Sequence, residues 1–468
     1  MAVSPSRAAA FEILLKVERD KSYASELLHS AAFTSLSSAD HGLATEIVMG
    51  VLRWQSLLDR DLAQASSLAL ERLDDEVLVA LRLGLYQLKL LSRIPARAAI
   101  FESVELVKAA RKKSAAPFVN AILRKLAGGD GKSANPASAD ARPSEALAAI
   151  GIARDVIALA RDASHPEWLV KRWADAYGLE TARQICLHNQ SPPSTSIHIH
   201  DDQSLNELVE AGVELAPGRL LSRARTVVSG DVTGTRAYRE GRIAIQDEAS
   251  QLVALLVGRG ESILDCCAAP GGKTALLARR NPASTVMAAE LHPHRARLLH
   301  ALARVPNIRV VAADARQLPL LKSFDRILVD VPCSGTGTLA RNPEIKWRLN
   351  AEDLADLQGR QIAIFKSALD RVSVGGRLVY STCSLEREEN EAVVGAALAG
   401  APDLSIVDCR EELEGLRQSG DLCGTDIDSH LSGPYLRTIP GVSPYDGFFA
   451  AIVTRDAARD TDNSSSSN

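Results

Sequence analysis

Apolar side chains recur at helical spacing through the first quarter of the chain, and no alternating strand pattern interrupts them. This periodicity predicts an all-α domain over residues 1–127 whose apolar stripes form its core. The residues that carry the pattern are Phe11, Leu14, Leu15, Val17, Leu43, Ile47, Val48, Val51, Leu52, Val77, Leu81, Leu85 and Leu88. Residues 128–145 are rich in Gly, Ser, Pro and Ala and lack apolar periodicity, which is typical of a flexible linker.

The pattern changes from about Ile243, where short apolar runs alternate with helical stretches. That alternation predicts an α/β domain over residues 242–456, Rossmann-like, with a mostly parallel sheet. Residues 146–241 form the expected small α+β subdomain in front of it. The final residues, 457–468, are mostly Asp, Asn and Ser, and we expect them to be disordered.

Composition narrows the possible function classes. The 468 residues suffice for two or three domains with sizeable cores. No apolar run approaches the length of a membrane span, and the N-terminus carries charges, so we expect a cytoplasmic protein without a membrane partner. Seven Cys without a C-x-x-C repeat disfavour a disulfide framework and a structural metal. The net charge is −4, but residues 1–126 carry 17 Lys and Arg against 14 Asp and Glu, which favours a basic face there.

One stretch organises the α/β part: the apolar run Ile263–Leu264 ends at Asp265, and a glycine-containing loop leads into a helix. Such a loop lies at the carboxyl end of a strand, where ligands bind in open α/β sheets. It matches neither the G-x-G-x-x-G dinucleotide fingerprint nor the phosphate P-loop. It resembles motif I of the RNA cytosine-C5 methyltransferases, although an ordinary strand-to-helix turn is the alternative interpretation. The resemblance implies that the loop holds S-adenosyl-L-methionine through Cys267, Ala268, Ala269, Pro270, Gly271, Gly272 and Lys273.

Two acidic residues end the next two predicted strands. Glu290 ends the strand at 284–291, and Asp314 follows the strand at 308–313. A carboxylate in the first position can accept both ribose hydroxyls of an adenosyl cofactor. The resemblance implies that Asp314 approaches the adenine. Each residue alone could instead be a helix cap.

Two cysteines follow later strands, Cys333 after Asp330–Pro332 and Cys383 after Thr382. C5 of cytosine is a poor nucleophile, and addition of a thiolate to C6 turns C5 into an enamine carbon that can attack a methyl group. A helix expected to start near Glu386 would lower the thiol pKa of Cys383.

The family resemblance implies a role for each of these residues. Cys383 attacks C6, Cys333 assists breakdown of the adduct, and Asp330 contacts the base near N3 and N4. Asp330 is also expected beside the cofactor, and Lys273 near both cofactor and base. The other cysteines are interpreted as small apolar residues, and these are Cys186, Cys266 and Cys409, together with Cys423.

Further motifs point to RNA. Several segments resemble the RNA-binding helical domain of the antitermination factor NusB, namely residues 46–53, 82–88, 94–107 and 118–124. The run 341–348 supplies three cations and a Trp that could grip phosphates and stack a base, although the Trp could simply pack.

Two histidines depart from the pattern of the resembled family. His198 and His200 stand where the family usually carries an Arg and an Asn. We interpret them as solvent-exposed residues on the outward face of an edge strand.

Taken together, the chain is identified as a member of the Sun/Fmu family of RNA cytosine-C5 methyltransferases, which act on 16S rRNA. The expected partner is that rRNA, naked or in an early small-subunit assembly intermediate, with no metal. Two alternatives are a non-catalytic RNA-binding or antitermination factor, and a methyltransferase of protein or small molecules. Intact cysteines argue against the first. The second needs neither two cysteines nor an RNA-binding domain. The target nucleotide and the oligomeric state stay open.

Overall fold

The computed structural model describes residues 3–33, 36–128, 141–424 and 426–456. Contacts divide the chain into two units. One comprises Met1–Pro193 with the segment Thr338–Leu349, and the other comprises Ser194–Gly337 with Asn350–Asn468. Within the described ranges, every helix falls short of the length or apolar character that a membrane span needs.

The described residues up to 193 form helices without strands. The periodicity predicted this for 1–127, whereas residues 146–193, expected in the small α+β subdomain, are helical and belong to the first unit. Ser37 and Asp155 cap two of the helices by accepting backbone N–H groups through their side chains, which fixes where those helices begin. The helices are α1 Pro5–Asp20, α2 Ala24–Leu28, α3 Ser38–Arg53, α4 Gln55–Ala65, α5 Asp75–Leu90, α6 Ala96–Ala109, α7 Ala116–Leu126, α8 Ala141–Ile152, α9 Val156–Asp162, α10 Glu167–Tyr177 and α11 Leu179–Gln190. Residues 129–140 of the predicted linker and the predicted tail 457–468 lie outside the described residues, and α8 begins within the predicted linker.

A small antiparallel sheet follows, in the order β2-β3-β1-β4. Its elements are β1 Thr195–Ile199, α12 Asp202–Glu210, β2 Glu214–Pro217, β3 Ala224–Ser229, α13 Arg236–Arg239 and β4 Ile243–Ile245. β1 is an interior strand because it pairs with both β3 and β4. The prediction of an exposed edge strand is therefore wrong: His198 is 7% exposed and its ring bonds Gln251, and His200 is half-buried.

The larger sheet has nine strands, in the order β11-β12-β13-β9-β8-β5-β6-β7, with β10 paired to β13. Strands β7, β6, β5, β8 and β9 run parallel, and the others join antiparallel. The elements are α14 Glu248–Leu256, β5 Ser262–Asp265, α15 Gly272–Arg280, β6 Thr285–Glu290, α16 Pro293–Ala303, β7 Ile308–Ala312, β8 Phe324–Asp330, α17 Ile345–Arg348, α18 Asp353–Leu369, β9 Val372–Thr382, α19 Glu391–Leu398, β10 Leu404–Val407, α20 Cys409–Gln418, β11 Leu431–Ser432, β12 Tyr435–Arg437 and β13 Phe449–Arg455. Buried apolar side chains pack on both faces of this sheet. The predicted Rossmann-like class is confirmed.

The segment 338–349, which contains α17, belongs to the helical unit. Lys346 is 1% exposed and donates to the Arg53 carbonyl at 2.8 Å. Trp347 Nε1 donates to the Leu52 carbonyl at 2.7 Å, and Arg348 donates to the Val17 carbonyl at 2.9 Å. The prediction that 341–348 grips phosphates is wrong for Lys346, which is buried, and Trp347 takes the packing role that the sequence left open. For the other cations of this run the phosphate contact stays a prediction.

Candidate active site

The loop between β5 and α15 carries the predicted cofactor residues Cys267–Lys273 at the carboxyl edge of the parallel strands. Gly271 has φ +113°, a left-handed conformation that favours glycine, and directly precedes α15. Thr274 Oγ1 donates to Asp265 at 2.7 Å, which ties the first turn of the helix to the end of the strand. The sequence thus builds a tight loop that leads directly into a helix N-terminus, a position that favours anionic groups.

Asp265 is buried at the base of this loop. Burial raises the pKa of its carboxyl to about 7, and the hydrogen bond from Thr274 opposes that shift. Its Oδ1 is buried without a hydrogen bond of good geometry among the described residues, and the Cys267 backbone N–H also lowers the carboxyl pKa. The acceptor capacity that remains at this edge suits a ligand that brings N–H or O–H groups, as the methionyl and adenosyl parts of S-adenosyl-L-methionine do.

Glu290 and Asp314 stand at the ends of the neighbouring strands, as predicted. Glu290 is 5% exposed; its Oε1 accepts from the His292 backbone at 3.0 Å, and Arg295 lies at 3.8 Å. Asp314 caps a 3₁₀ turn and pairs with Arg316 at 2.6 Å. The hydrogen bond from Arg316 lowers the pKa of Asp314. Asp314 therefore has the capping role that the sequence left open. Its contact with the adenine stays a prediction.

The two cysteines meet although 50 residues separate them in sequence. Strands β8 and β9 are parallel neighbours with Asp330 opposite Ser381, so both following loops leave the same edge of the sheet. Cys333 Sγ lies 3.4 Å from Cys383 Sγ. Both side chains are half-buried. The Gly337 backbone N–H donates to the Cys383 carbonyl at 2.9 Å, which holds the two loops together.

The two thiols share one hydrogen bond, in which either sulfur can be the donor. That hydrogen bond, and then burial, raise the pKa of Cys333 well above its ordinary value. A proton held on one sulfur stabilises a thiolate on the other.

Lys273 and Asp330 join this cluster. Lys273 Nζ lies 2.7 Å from Asp330 Oδ2 and 5.1 Å from the centre of the Phe448 ring. Ser381 Oγ donates to Asp330 at 2.7 Å. Burial lowers the pKa of Lys273, but the adjacent Asp330 outweighs it, so the net pKa is raised. Lys273 therefore stays protonated and places a positive charge beside the two thiols.

Two residues at this site were missed by sequence reasoning, Glu389 and Asn390. Glu389 is fully buried and accepts from the Ser334 backbone at 2.8 Å and from Gln361 at 2.9 Å, and the hydroxyls of Ser334 and Ser384 also donate to it. Asn390 donates to the Ser384 carbonyl at 2.9 Å. The two residues thus bind the loop after Cys333 to the loop after Cys383. The signal for these residues in the sequence was the Glu-rich run 386–389, which was interpreted only as the start of a helix.

That helix starts later than predicted. A 3₁₀ turn spans Arg387–Glu389 and α19 begins at Glu391, so the expected start near Glu386 is wrong. The chain bends here because the Glu389 side chain turns inwards to the serines and Asn390 leaves helical geometry at ψ −104°.

Gly337 and Gly447 were also missed by sequence reasoning. A β-carbon on Gly337 would lie 2.3 Å from the Gly447 carbonyl oxygen. Only glycine permits this approach of the Pro-Cys loop to the chain before β13.

The remaining cysteines lie outside this cluster. Cys186, Cys266 and Cys409 are buried, as small apolar residues are expected to be, whereas Cys423 is exposed and departs from that interpretation. Cys423 is exposed because it lies in the loop after α20 rather than in an element with a buried face. Among the described residues, no group of three or more His, Cys, Asp or Glu side chains could hold a metal ion.

Comparison with family models matches three parts of the chain. Residues 252–454 match the 16S rRNA methyltransferase RsmB/F model, 4–128 match the NusB family, and 165–229 match the ferredoxin-like domain of RsmF/B-like methyltransferases. The chain is 37% identical over 413 residues to the probable ribosomal RNA small subunit methyltransferase B of Bacillus subtilis, covering 85% of this chain and 89% of that protein.

The chain belongs to the RsmB/F methyltransferase family. A second member, the ribosomal RNA small subunit methyltransferase B of Vibrio vulnificus, is 31% identical and is covered over 99% of its length, with 96% of this chain. The crystal structure of PH0851 shares the fold, with a TM-score of 0.77 at 20% identity over 97% of this chain and all of that chain. As an RsmB/F-family protein, this chain is an S-adenosyl-L-methionine-dependent methyltransferase with a NusB-like helical domain. The predicted family and cofactor are thereby confirmed.

Proposed function

We propose that this chain methylates C5 of a cytosine in 16S rRNA through a covalent bond between Cys383 and C6. The observation that carries the proposal is the pair of thiols 3.4 Å apart at the carboxyl edge of the sheet. A methyltransferase acting on an oxygen or nitrogen needs no thiol nucleophile, whereas attack by C5 needs prior addition to C6. The names of the Bacillus and Vibrio relatives support rRNA of the small subunit as the substrate.

The first step is addition. Cys383 attacks C6 as the thiolate, with Cys333 Sγ 3.4 Å from its sulfur. Negative charge builds in the pyrimidine ring, and the Lys273 cation, held by Asp330 at 2.7 Å, offsets it while Asp330 hydrogen-bonds the base edge near N3 and N4. When bound, the cofactor would supply an electrophilic methyl group to C5 and would leave as S-adenosylhomocysteine.

Release completes the cycle. After methyl transfer, Cys333, which lies beside the departing sulfur, takes the proton from C5. The C5–H electron pair re-forms the C5–C6 double bond, and the Cys383–C6 bond breaks so that Cys383 leaves as a thiolate. In this proposal the loop 267–273, together with Glu290 and Asp314, holds the cofactor. Asp265 fixes the loop by accepting a hydrogen bond from Thr274.

Cysteine variants test the covalent step. Cys383→Ala should abolish methylation and leave cofactor binding nearly unchanged, because it removes the nucleophile alone. Cys333→Ala should accumulate a protein–RNA adduct that migrates slowly on a denaturing gel. Cys423→Ala, an exposed cysteine elsewhere, is the matched control and should behave as the unaltered protein. Turnover by Cys383→Ala, or a free-running band for Cys333→Ala, would refute the assigned roles.

Bisulfite sequencing of rRNA from cells with and without the gene tests the substrate. Loss of one protected cytosine in 16S rRNA is the expected result. If a cytosine in another RNA loses protection, the chemistry stands and the 16S rRNA assignment is wrong.

A further inference from the structure

A second concave site lies within the unit that contains the two sheets. It is a cavity of about 600 Å³. One wall comes from the small sheet, through His198, His200 and Arg223, and the opposite wall comes from the end of α15, through Arg279 and Arg280. Its volume falls within the range of about 300–1,000 Å³ usual for small-molecule sites.

This cavity lies away from the cysteines. Its lining includes Leu255 in the last turn of α14, which precedes β5, and Asn307, which directly precedes β7. These residues mark the amino ends of the parallel strands. Asp265 and Glu290 stand at the carboxyl ends of strands in the same sheet. The cavity and the candidate active site therefore occupy opposite edges of the sheet.

Three arginines line the cavity, Arg223, Arg279 and Arg280, beside Asp201 and Asp421. Two of them have carboxylate partners: Arg280 pairs with Asp421 at 2.6 Å, and Arg223 pairs with Asp202 at 2.9 Å. Arg279 is half-buried; one terminal nitrogen donates to the Gly241 carbonyl at 2.6 Å, its Nε is buried without a hydrogen-bond partner among the described residues, and the charge of Asp201 acts on it. A partly desolvated guanidinium that is hydrogen-bonded to a carbonyl rather than to a carboxylate attracts an anion.

The two histidine rings, tilted by 58° to each other, add uncharged aromatic surface. Burial lowers the pKa of His198, and it lowers the pKa of His200 to about 3, so both rings are neutral near pH 7. Their ring centres are 4.8 Å apart. With the Gln251 amide oxygen accepting from Nδ1 of His198 at 2.9 Å, Nε2 of that ring is an acceptor. Apolar side chains, including Leu276 and Val305, complete the lining.

We propose that this cavity is a second nucleotide-binding site, with a phosphate on Arg279 and a base against the rings of His198 and His200. Aromatic rings stack bases without strong sequence preference, and an arginine fork matches phosphate oxygens. The nucleotide comes from one of two sources, a free nucleoside monophosphate or one residue of an RNA strand. The site goes beyond methyl transfer and does not depend on the cysteine chemistry.

Binding is measured on the full chain with S-adenosylhomocysteine at saturation, so that the cofactor site is filled. The probes are adenosine and cytidine 5′-monophosphate by calorimetry, and a fluorescein-labelled single-stranded 12-nucleotide RNA by anisotropy. Arg279→Ala removes the phosphate partner, and Ser222→Trp fills the cavity without changing charge. Arg417→Ala, an exposed arginine on α20, is the control for net charge.

We expect both cavity variants to weaken binding of at least one probe by about tenfold, the effect of losing one charged hydrogen-bonded contact. Loss confined to the monophosphates identifies a free nucleotide, and loss confined to the 12-mer identifies an RNA strand. If Arg279→Ala fails to fold, Ser222→Trp decides alone. Unchanged affinities in both cavity variants, or an equal loss in Arg417→Ala, would overturn the site.

Discussion

At the residue scale, the candidate site depends on carboxylates that differ in what surrounds them. Glu290 accepts one backbone N–H and faces Arg295 from 3.8 Å, which leaves acceptor capacity for a ligand. Asp314 is engaged by the side chain and backbone of Arg316. Glu290 is thus the better placed of the two to contribute binding energy.

Replacing Glu290 tests this difference. Glu290→Ala should weaken S-adenosyl-L-methionine binding by about 1–3 kcal/mol, because charged hydrogen bonds to the ribose are lost. Calorimetric titration measures it. Glu261→Ala, an exposed glutamate just before β5, should bind normally. Unchanged affinity in Glu290→Ala would remove this residue from the cofactor site.

Asp265 gives a pH-dependent prediction. Burial raises the pKa of this carboxyl to about 7, whereas in the unfolded chain it ionises near its ordinary value of 3.8. Between these values the folded state retains a proton that the unfolded state has lost. Stability therefore falls as pH rises through that window, by at most about 4 kcal/mol.

Urea unfolding at pH 5 and pH 8 measures the effect. The stability of Asp265→Asn relative to the unaltered protein should increase from pH 5 to pH 8, because asparagine does not titrate. Asp356→Asn, at an exposed position on α18, should show no such trend. Parallel pH profiles for Asp265→Asn and the unaltered protein would contradict the raised pKa.

At the scale of elements, the cysteines are held by loops rather than by the strands themselves. Glu389 receives hydrogen bonds from Ser334, Ser384 and Gln361, so one carboxylate joins both cysteine loops to α18. Replacing a buried carboxylate that accepts several hydrogen bonds lowers the free energy of unfolding, because each donor group loses its acceptor.

Glu389→Gln should therefore slow methylation more than it weakens cofactor binding. The side-chain amide of glutamine would place an NH2 group against the Ser334, Ser384 and Gln361 groups that donate hydrogen bonds to Glu389. Because donors would then face donors, we expect the loop of Cys333 to move away from Cys383. We also expect a loss of about 1–3 kcal/mol in the free energy of unfolding. Single-turnover methylation and urea unfolding are the measurements, with Glu388→Gln on the same 3₁₀ turn as control. Full activity in Glu389→Gln would show that the carboxylate does not position the loops.

At the scale of the whole molecule, the helical unit is discontinuous in sequence because it includes 338–349. That segment engages carbonyls of α1 and α3 and also places the Glu344 carboxylate 2.8 Å from the Ala24 backbone nitrogen. A helical domain cut out at residue 193 would expose these partners to water.

A fragment of residues 1–193 tests this arrangement. It should unfold at lower urea concentration than the same helices do in the full chain, and a peptide of residues 336–350 should raise its midpoint. The same peptide with Trp347→Ala should act more weakly, because Trp347 loses its ring packing and its bond to the Leu52 carbonyl. If neither peptide changes the urea midpoint of the fragment, the segment 338–349 contributes little to the stability of the helical unit.

The order of the elements and the sheet edge that carries the site could be predicted from the residues alone. Apolar periodicity separates helices from strands, and parallel strands place their carboxyl ends together, so Asp265, Glu290, Asp330 and the residues after Thr382 could be assigned to one edge. The glycine loop was recognisable because its geometry demands particular residues locally, as the φ of Gly271 shows.

Which side chains meet could not be predicted in this way, because it depends on how the chain packs. The 3.4 Å approach of the two cysteines, the turn of Glu389 into the core and the capture of Trp347 by the helical unit join residues far apart in sequence. His198 is buried because β1 is an interior strand, and strand order is not encoded in the local pattern. Periodicity reports whether a side chain faces a core, whereas packing determines which core it enters and which partners it finds there.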